Sequence, residues 1–244
     1  MGKTIGVVGA MEQEIALLKS EMLKPDIDKP EAGFVSVKKA ANTEFIEGRL
    51  SGARAVLVRC GVGKVNAAVC TQALIDLYGV NCVINTGVAG GVSPDVKLGD
   101  VVISTGFIQY DVDIVGAGYE PGILPGGLEA FYRADAALAD CAVSACAAVY
   151  PQDRVHAGLI ATADRFVTSS EAVRDLRRDF NPLCLDMETA AIAQACALNG
   201  VPFVAVRSIS DNADEEAGMA FDQYLELAAE KSCRIVCKMA EELK

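Results

Sequence analysis

The stretch Thr4-Ile5-Gly6-Val7-Val8-Gly9-Ala10-Met11-Glu12-Gln13-Glu14-Ile15 decides the fold. Thr4–Val8 is a short apolar run of strand type, and Gly9-Ala10 breaks it. Beyond the break, Met11, Ile15, Leu18 and Met22 recur at spacings of 4, 3 and 4, the apolar stripe of an amphipathic helix. A strand, a glycine turn and a helix in that order open an α/β unit. Such turns commonly hold an anion. This one carries Glu12 and Glu14 instead, so whatever binds here is not drawn in by positive charge.

The same alternation continues along the chain. Strands are expected at about Ala55–Arg59, Cys82–Thr86, Asp100–Thr105, Val155–Thr162, Leu183–Leu185 and Phe203–Ile209. Helices are expected from near Lys64, over Met187–Leu198 with a stop at Asn199-Gly200, and over roughly Ala220–Glu242. This pattern predicts a three-layer α/β/α architecture around a mixed, largely parallel sheet, with binding residues outside the carboxyl ends of the strands. The stretch Gly106–Phe131 is rich in Gly and Pro, shows no helical period and reads as a long functional or interfacial loop. Nothing in the 244 residues reads as a linker, so a single domain over 1–244 is expected.

Composition narrows the partners. A net charge of −11 repels nucleic-acid phosphates and anionic membranes, and no Lys/Arg cluster breaks the trend. A small-molecule partner is expected, with no nucleic acid and no membrane. Apolar runs such as Val80–Val88 fall well short of the ~20 residues of a membrane span, and the first twenty residues lack a signal-peptide pattern, which points to the cytoplasm. The nine cysteines are scattered without a C-x-x-C pair, and His156 is the one histidine, so neither a metal nor another cofactor is expected.

Several strand ends carry chemistry. "GVGKVN" at 61–66 lacks the third glycine of a dinucleotide fingerprint and the G-K-[ST] of a P-loop, and serves equally as a tight turn into a helix. "NTGVAGG" at 85–91 places glycines directly after a buried strand, where backbone can approach a ligand. "LDMETAAIA" at 185–193 puts Asp186 and Glu188 at a strand-to-helix junction, where acids also suit the helix dipole. "VRSISDNAD" at 206–214 is sharper: Arg207 follows a run that should be buried on both faces, so its charge needs a partner or a ligand. Glu14, Glu188 and Asp211 thus sit at the ends of separate strands with Arg207 beside them. Convergent carboxylates without a metal suit glycosyl transfer, in which an acid serves the leaving group, a base serves the water, and anions stabilise an oxocarbenium ion.

These motifs in this order, from "IGVVGAMEQE" through "GVGKVNAA", "NTGVAGG", "LGDVVIS", "LPGG" and "LDMETAAIA" to "VRSISDNAD" and "FDQY", span nearly the whole chain. They resemble the nucleoside phosphorylase/nucleosidase superfamily, and most closely the bacterial 5′-methylthioadenosine/S-adenosylhomocysteine nucleosidases. The resemblance implies a nucleoside phosphorylase-like fold, hydrolysis of the N-glycosidic bond of those adenine nucleosides, and a homodimer whose loop around Asp111–Pro125 reaches the partner's site. It implies Asp211 as the acid protonating adenine N7, helped by Ser210, and Glu14 as the residue that orients and deprotonates water. Glu188 would hold the ribose hydroxyls while Arg207 orders the polar groups. Phe166 would stack on the purine, the Val167 backbone would read its edge, and Met11, Val62, Met187 and Phe221 would line the ribose and 5′-thioalkyl pocket.

Two positions depart from the pattern. Val88 stands where these nucleosidases mostly carry Ser, which removes a hydroxyl near the ribose and water. Ala117 stands where a Phe from the neighbouring subunit commonly covers the 5′ group, which predicts a more open pocket and weaker discrimination among 5′ substituents. A phosphorylase reading would need cationic or hydroxyl donors for phosphate, and Glu14, Asn85 and Val88 supply no cation. A nucleosidase of different preference, for adenosine, 5′-deoxyadenosine or futalosine-type substrates, and a nucleoside-binding protein without turnover are the remaining alternatives.

Overall fold

A computed structural model describes residues 3–24, 35–125, 132–214 and 217–244. Strands β1 (Thr4–Gly9), β4 (Ala53–Arg59), β5 (Cys82–Gly91) and β10 (Phe203–Asp211) run parallel, with β1 between β4 and β5 and with β10 on the other side of β5. β6 (Val101–Gln109), β8 (Val155–Thr162) and β9 (Cys184–Asp186) form a second parallel set. It meets the first set antiparallel at two seams, β6 on β10 and β9 on β5. Strands β5, β10, β6, β8 and β9 therefore close into a ring, and the sheet continues from β5 through β1 and β4 to an antiparallel edge of β3 (Thr43–Leu50) and β2 (Ser36–Ala40). The short β7 (Tyr132–Arg133) pairs with β6.

Period-two alternation distributes the apolar residues of the strands to two helical layers. Ile5, Val7, Ala55, Leu57, Val204 and Val206 pack with residues of α1 (Glu12–Leu23), α3 (Ala136–Val149) and α6 (Ala217–Glu242). Val8, Val56, Val58, Phe203 and Ala205 pack on the opposite side with α2 (Lys64–Tyr78) and α5 (Thr189–Leu198). The expected mixed sheet between helical layers is present, and no helix among the described residues is long and apolar enough to cross a membrane.

The structure differs from the sequence expectations at several points. β2, β3, β7, α3 and α4 (Ser170–Asp179) were not anticipated. β6 runs on to Gln109, so Gly106–Gln109 is strand and the irregular segment starts at Tyr110, with a single 3-10 turn at Val115–Ala117. Part of the anticipated loop, 126–131 with the end of "LPGG", lies outside the described residues. β5 continues through Gly91, so the glycines of "NTGVAGG" are inside the strand and not after it. The ladder with β10 carries them, pairing Gly87 with Arg207 and Ala89 with Ile209. β10 likewise extends to Asp211, past an irregularity between Ile209 and Asp211.

Candidate active site

The carboxyl ends of β1, β5, β8, β9 and β10 enclose a cavity of about 440 Å³. Its wall includes Met11 and Glu14 from the β1–α1 turn, Val62 from the β4–α2 turn, and Phe166 and Val167 after β8. Met187 and Glu188 enter after β9, Ser210 and Asp211 from β10, and Phe221 from α6. Ten of the eleven anticipated site residues thus share one cavity. Arg207 does not reach its surface: it is fully buried behind it.

Glu14 is the third residue of α1, where a carboxylate side chain can turn back on the free N–H groups of the helix start. Its Oε2 accepts from the N–H of Ala10 at 2.7 Å and of Met11 at 2.9 Å, and its Oε1 accepts from the N–H of Val88 at 3.0 Å. Three backbone donors from two strand ends fix one orientation of the carboxylate. The Val88 contact to Glu14 is made by its backbone N–H and does not depend on the side chain. The isopropyl group packs with Ala228 and Ala229 of α6, against Met11, Phe221 and Leu225.

Arg207 organises the acids from behind. Its Nη2 lies 2.8 Å from Asp186 Oδ2 and 4.0 Å from Glu188 Oε2, and its Nη1 lies 3.7 Å from Glu14 Oε1. Nη2 also donates to Asn85 Oδ1 and Thr189 Oγ1, each at 2.6 Å. Burial works against the guanidinium charge, but Asp186, Glu14 and Glu188 outweigh it and hold the pKa above its ordinary value. A cation so enclosed by acids is not offered to an anionic ligand.

Glu188 stands just before α5 without a side-chain bond to the helix start, and its carboxylate instead accepts from the Gly63 N–H at 2.8 Å. Gly63 opens α2 with φ +98°, a conformation open to glycine, which explains the glycine of the "GVG" turn. Burial and the neighbouring Asp186 push the Glu188 carboxyl up to about 8. Asp211 accepts from Ser210 Oγ at 2.9 Å and from the Ala213 N–H at 2.8 Å. Burial nevertheless raises its pKa above the ordinary value, in the direction a general acid requires. Across the cavity wall, the rings of Phe166 and Phe221 meet edge to face with centroids 5.6 Å apart.

A family model described as the phosphorylase superfamily matches residues 4–241. The 5′-methylthioadenosine/S-adenosylhomocysteine nucleosidase of Geobacillus kaustophilus is 44% identical over 239 residues, covering 98% of this chain and 97% of that one. This chain belongs to that nucleosidase family. The nucleosidase of Neisseria meningitidis, solved in complex with methylthio-immucillin-A, aligns with a TM-score of 0.90 and 41% identity over 98% of this chain and 99% of its own. The nucleosidase of Colwellia psychrerythraea 34H, solved in complex with adenine, aligns with a TM-score of 0.91 and 38% identity over 100% and 97%.

Within this nucleosidase fold, sequence reasoning left several residues without a role. Asp186 was visible only as one of two acids at a helix start, yet it receives Arg207, Thr162 Oγ1 at 2.6 Å, and the Thr189 hydroxyl and N–H. Asn85 and Thr189 complete the buried network, with Thr189 Oγ1 donating to Asn85 Oδ1 at 2.9 Å. Arg165 and Asp222 also line the cavity. A charged residue beside an aromatic, as in "RF" and "FD", was the one local signal for them.

Proposed function

We propose that this chain hydrolyses the N-glycosidic bond of 5′-methylthioadenosine and S-adenosylhomocysteine, releasing adenine and the 5-thioribose product. The observation that carries the reading is the division of labour between two carboxyls on one cavity. Glu14 is held by three N–H donors as an acceptor for a water proton, and Asp211 is buried with a raised pKa as a donor. Proton transfer from Asp211 to adenine N7 lets the base leave neutral. Glu188 grips the ribose hydroxyls, and the anionic character of this wall offsets the positive charge that develops on the ribose ring. Phe166 stacks on the purine, the Val167 backbone reads its edge, and Met11, Val62, Met187 and Phe221 accept the ribose and thioether. Water is favoured over phosphate as nucleophile because Arg207, the cation nearest Glu14, is buried among carboxylates.

The test is adenine release from methylthioadenosine, S-adenosylhomocysteine, adenosine and a futalosine-type nucleoside, each with and without phosphate. Release from the first two without phosphate is the expected result, and an absolute phosphate requirement would overturn hydrolysis.

The protein is further inferred to act as a single-domain homodimer in the cytoplasm. Val65 and Val69 stand one turn apart on α2 at 73% and 50% exposure, with exposed Val62, Val115 and Tyr119 forming further apolar surface suited to a second copy. Sedimentation equilibrium reporting a monomer at micromolar concentration would remove the dimer from this reading.

A further inference from the structure

Two charges on the cavity wall have no part in the hydrolysis. Arg165 directly precedes Phe166, Asp222 directly follows Phe221, and all four residues line the cavity. The edge-to-face contact of the two rings joins the segment after β8 to the start of α6, the two segments that carry Arg165 and Asp222. Both side chains are exposed, and neither is in an ion pair with another described residue. Among the described residues of the lining, Arg165 is also the single cation, and the acids are Glu14, Asp186, Glu188, Asp211 and Asp222.

We propose that Arg165 and Asp222 form a subsite for the zwitterionic amino-acid end of S-adenosylhomocysteine, Arg165 taking the α-carboxylate and Asp222 the α-ammonium. The assignment rests on the nucleosidase reading. Phe221 and Met11 pack with Val88, Ala228, Ala229 and Leu225, so this wall is apolar and suits the thioether and its methylenes. The α-carbon lies three carbons beyond the sulfur, outside that apolar patch and in reach of the exposed charges at its border. A carboxylate approaching a wall that holds Glu14 and Asp186 is repelled unless a cation meets it, and the planar guanidinium fork matches a carboxylate with two parallel hydrogen bonds. Arg165 also borders a neighbouring cavity with Glu171, Asp175 and Asp179, but Asp175 and Asp179 already hold Arg178 at 2.8 and 2.7 Å. Methylthioadenosine has no group for either charge, so the pair separates the two substrates.

The experiment compares kcat/KM for S-adenosylhomocysteine with that for 5′-butylthioadenosine, which has a similar carbon chain and no charges, in wild type, Arg165→Ala, Arg165→Lys and Asp222→Asn. The expected result is a roughly three- to tenfold fall in the ratio for Arg165→Ala and Asp222→Asn, carried by KM, with partial retention in Arg165→Lys. Rising salt should lower the wild-type ratio and leave that of Arg165→Ala nearly flat. An active protein whose ratio is unchanged in both Arg165→Ala and Asp222→Asn overturns the subsite and leaves the hydrolase reading standing. A wild-type protein that releases no adenine from methylthioadenosine overturns the hydrolase reading itself.

Discussion

Arg207 Nη2 stands 2.8 Å from Asp186 Oδ2, with the side chains 0% and 1% exposed. Neither charge can recover water if the other is removed. Asp186→Asn keeps the shape and hydrogen-bonding capacity of the side chain but leaves Arg207 short of its nearest anion. Breaking one partner of a buried pair costs about 3–5 kcal/mol, and the retained amide bonds place the expected loss at about 2–4 kcal/mol. Urea unfolding measures it directly; an unchanged midpoint would show that Glu14 and Glu188 satisfy Arg207 without Asp186.

Gly87 is the point where β5 passes against Arg207 and Glu14. A methyl group there would overlap both Arg207 Nη1 and Glu14 Oε1. The strand cannot withdraw easily, because Gly87 is paired with Arg207 in the β10 ladder. Gly87→Ala should therefore displace the Glu14 carboxylate and lower kcat at least 100-fold, in line with misplacement of a positioned group by about 1 Å. Retained kcat in a folded variant would mean that Glu14 does not hold the water.

The parts of this site that local pattern reveals differ from those it hides. The β1–α1 turn was legible because Met11, Ile15, Leu18 and Met22 keep helical spacing, and Arg207 was legible as a charge inside an apolar run. The β2 strand "SVKKA" was not, because its residues are mostly exposed and its lysines suit an unpaired edge. The Ala-rich α3 offers no sharp polar face, so periodicity was silent there too. The end of β5 was misread for a different reason: glycine weakens strand propensity, yet here it makes room for Glu14, Arg207 and Asp211. Asp186 stayed hidden because its partner arrives from β10 by long-range pairing, which no local window contains. Phe166, Val167 and Val62 had no local signal and came from the family resemblance alone.

Asp211 gives a kinetic prediction with a definite sign. Its pKa is raised in the folded protein, so the proton needed for adenine departure is present at low pH and lost as pH rises through that value. kcat/KM for methylthioadenosine should fall on the alkaline side. Asp211→Asn should lower it by about 10²–10⁴. A riboside with a 4-nitrophenolate leaving group needs no proton on departure, so its hydrolysis should be nearly indifferent to Asp211→Asn and lack the alkaline fall. Equal losses on both substrates would take the acid role from Asp211.

Glu188 links the same site to stability. Its folded pKa of about 8 exceeds the ordinary carboxylate value, so between the two the native state binds more protons than the unfolded chain. Stability contributed by the protonated form is fully present below about 4 and is lost as pH rises towards 8, on the order of 5 kcal/mol if the whole shift is expressed. Glu188→Gln keeps an acceptor for the Gly63 N–H and cannot ionise. Its unfolding free energy should therefore decline less between pH 5 and pH 8 than that of the wild type. The difference between the two curves isolates Glu188 from the general self-repulsion of a chain carrying a net charge of −11. Parallel curves would show that Arg207 keeps Glu188 ionised throughout.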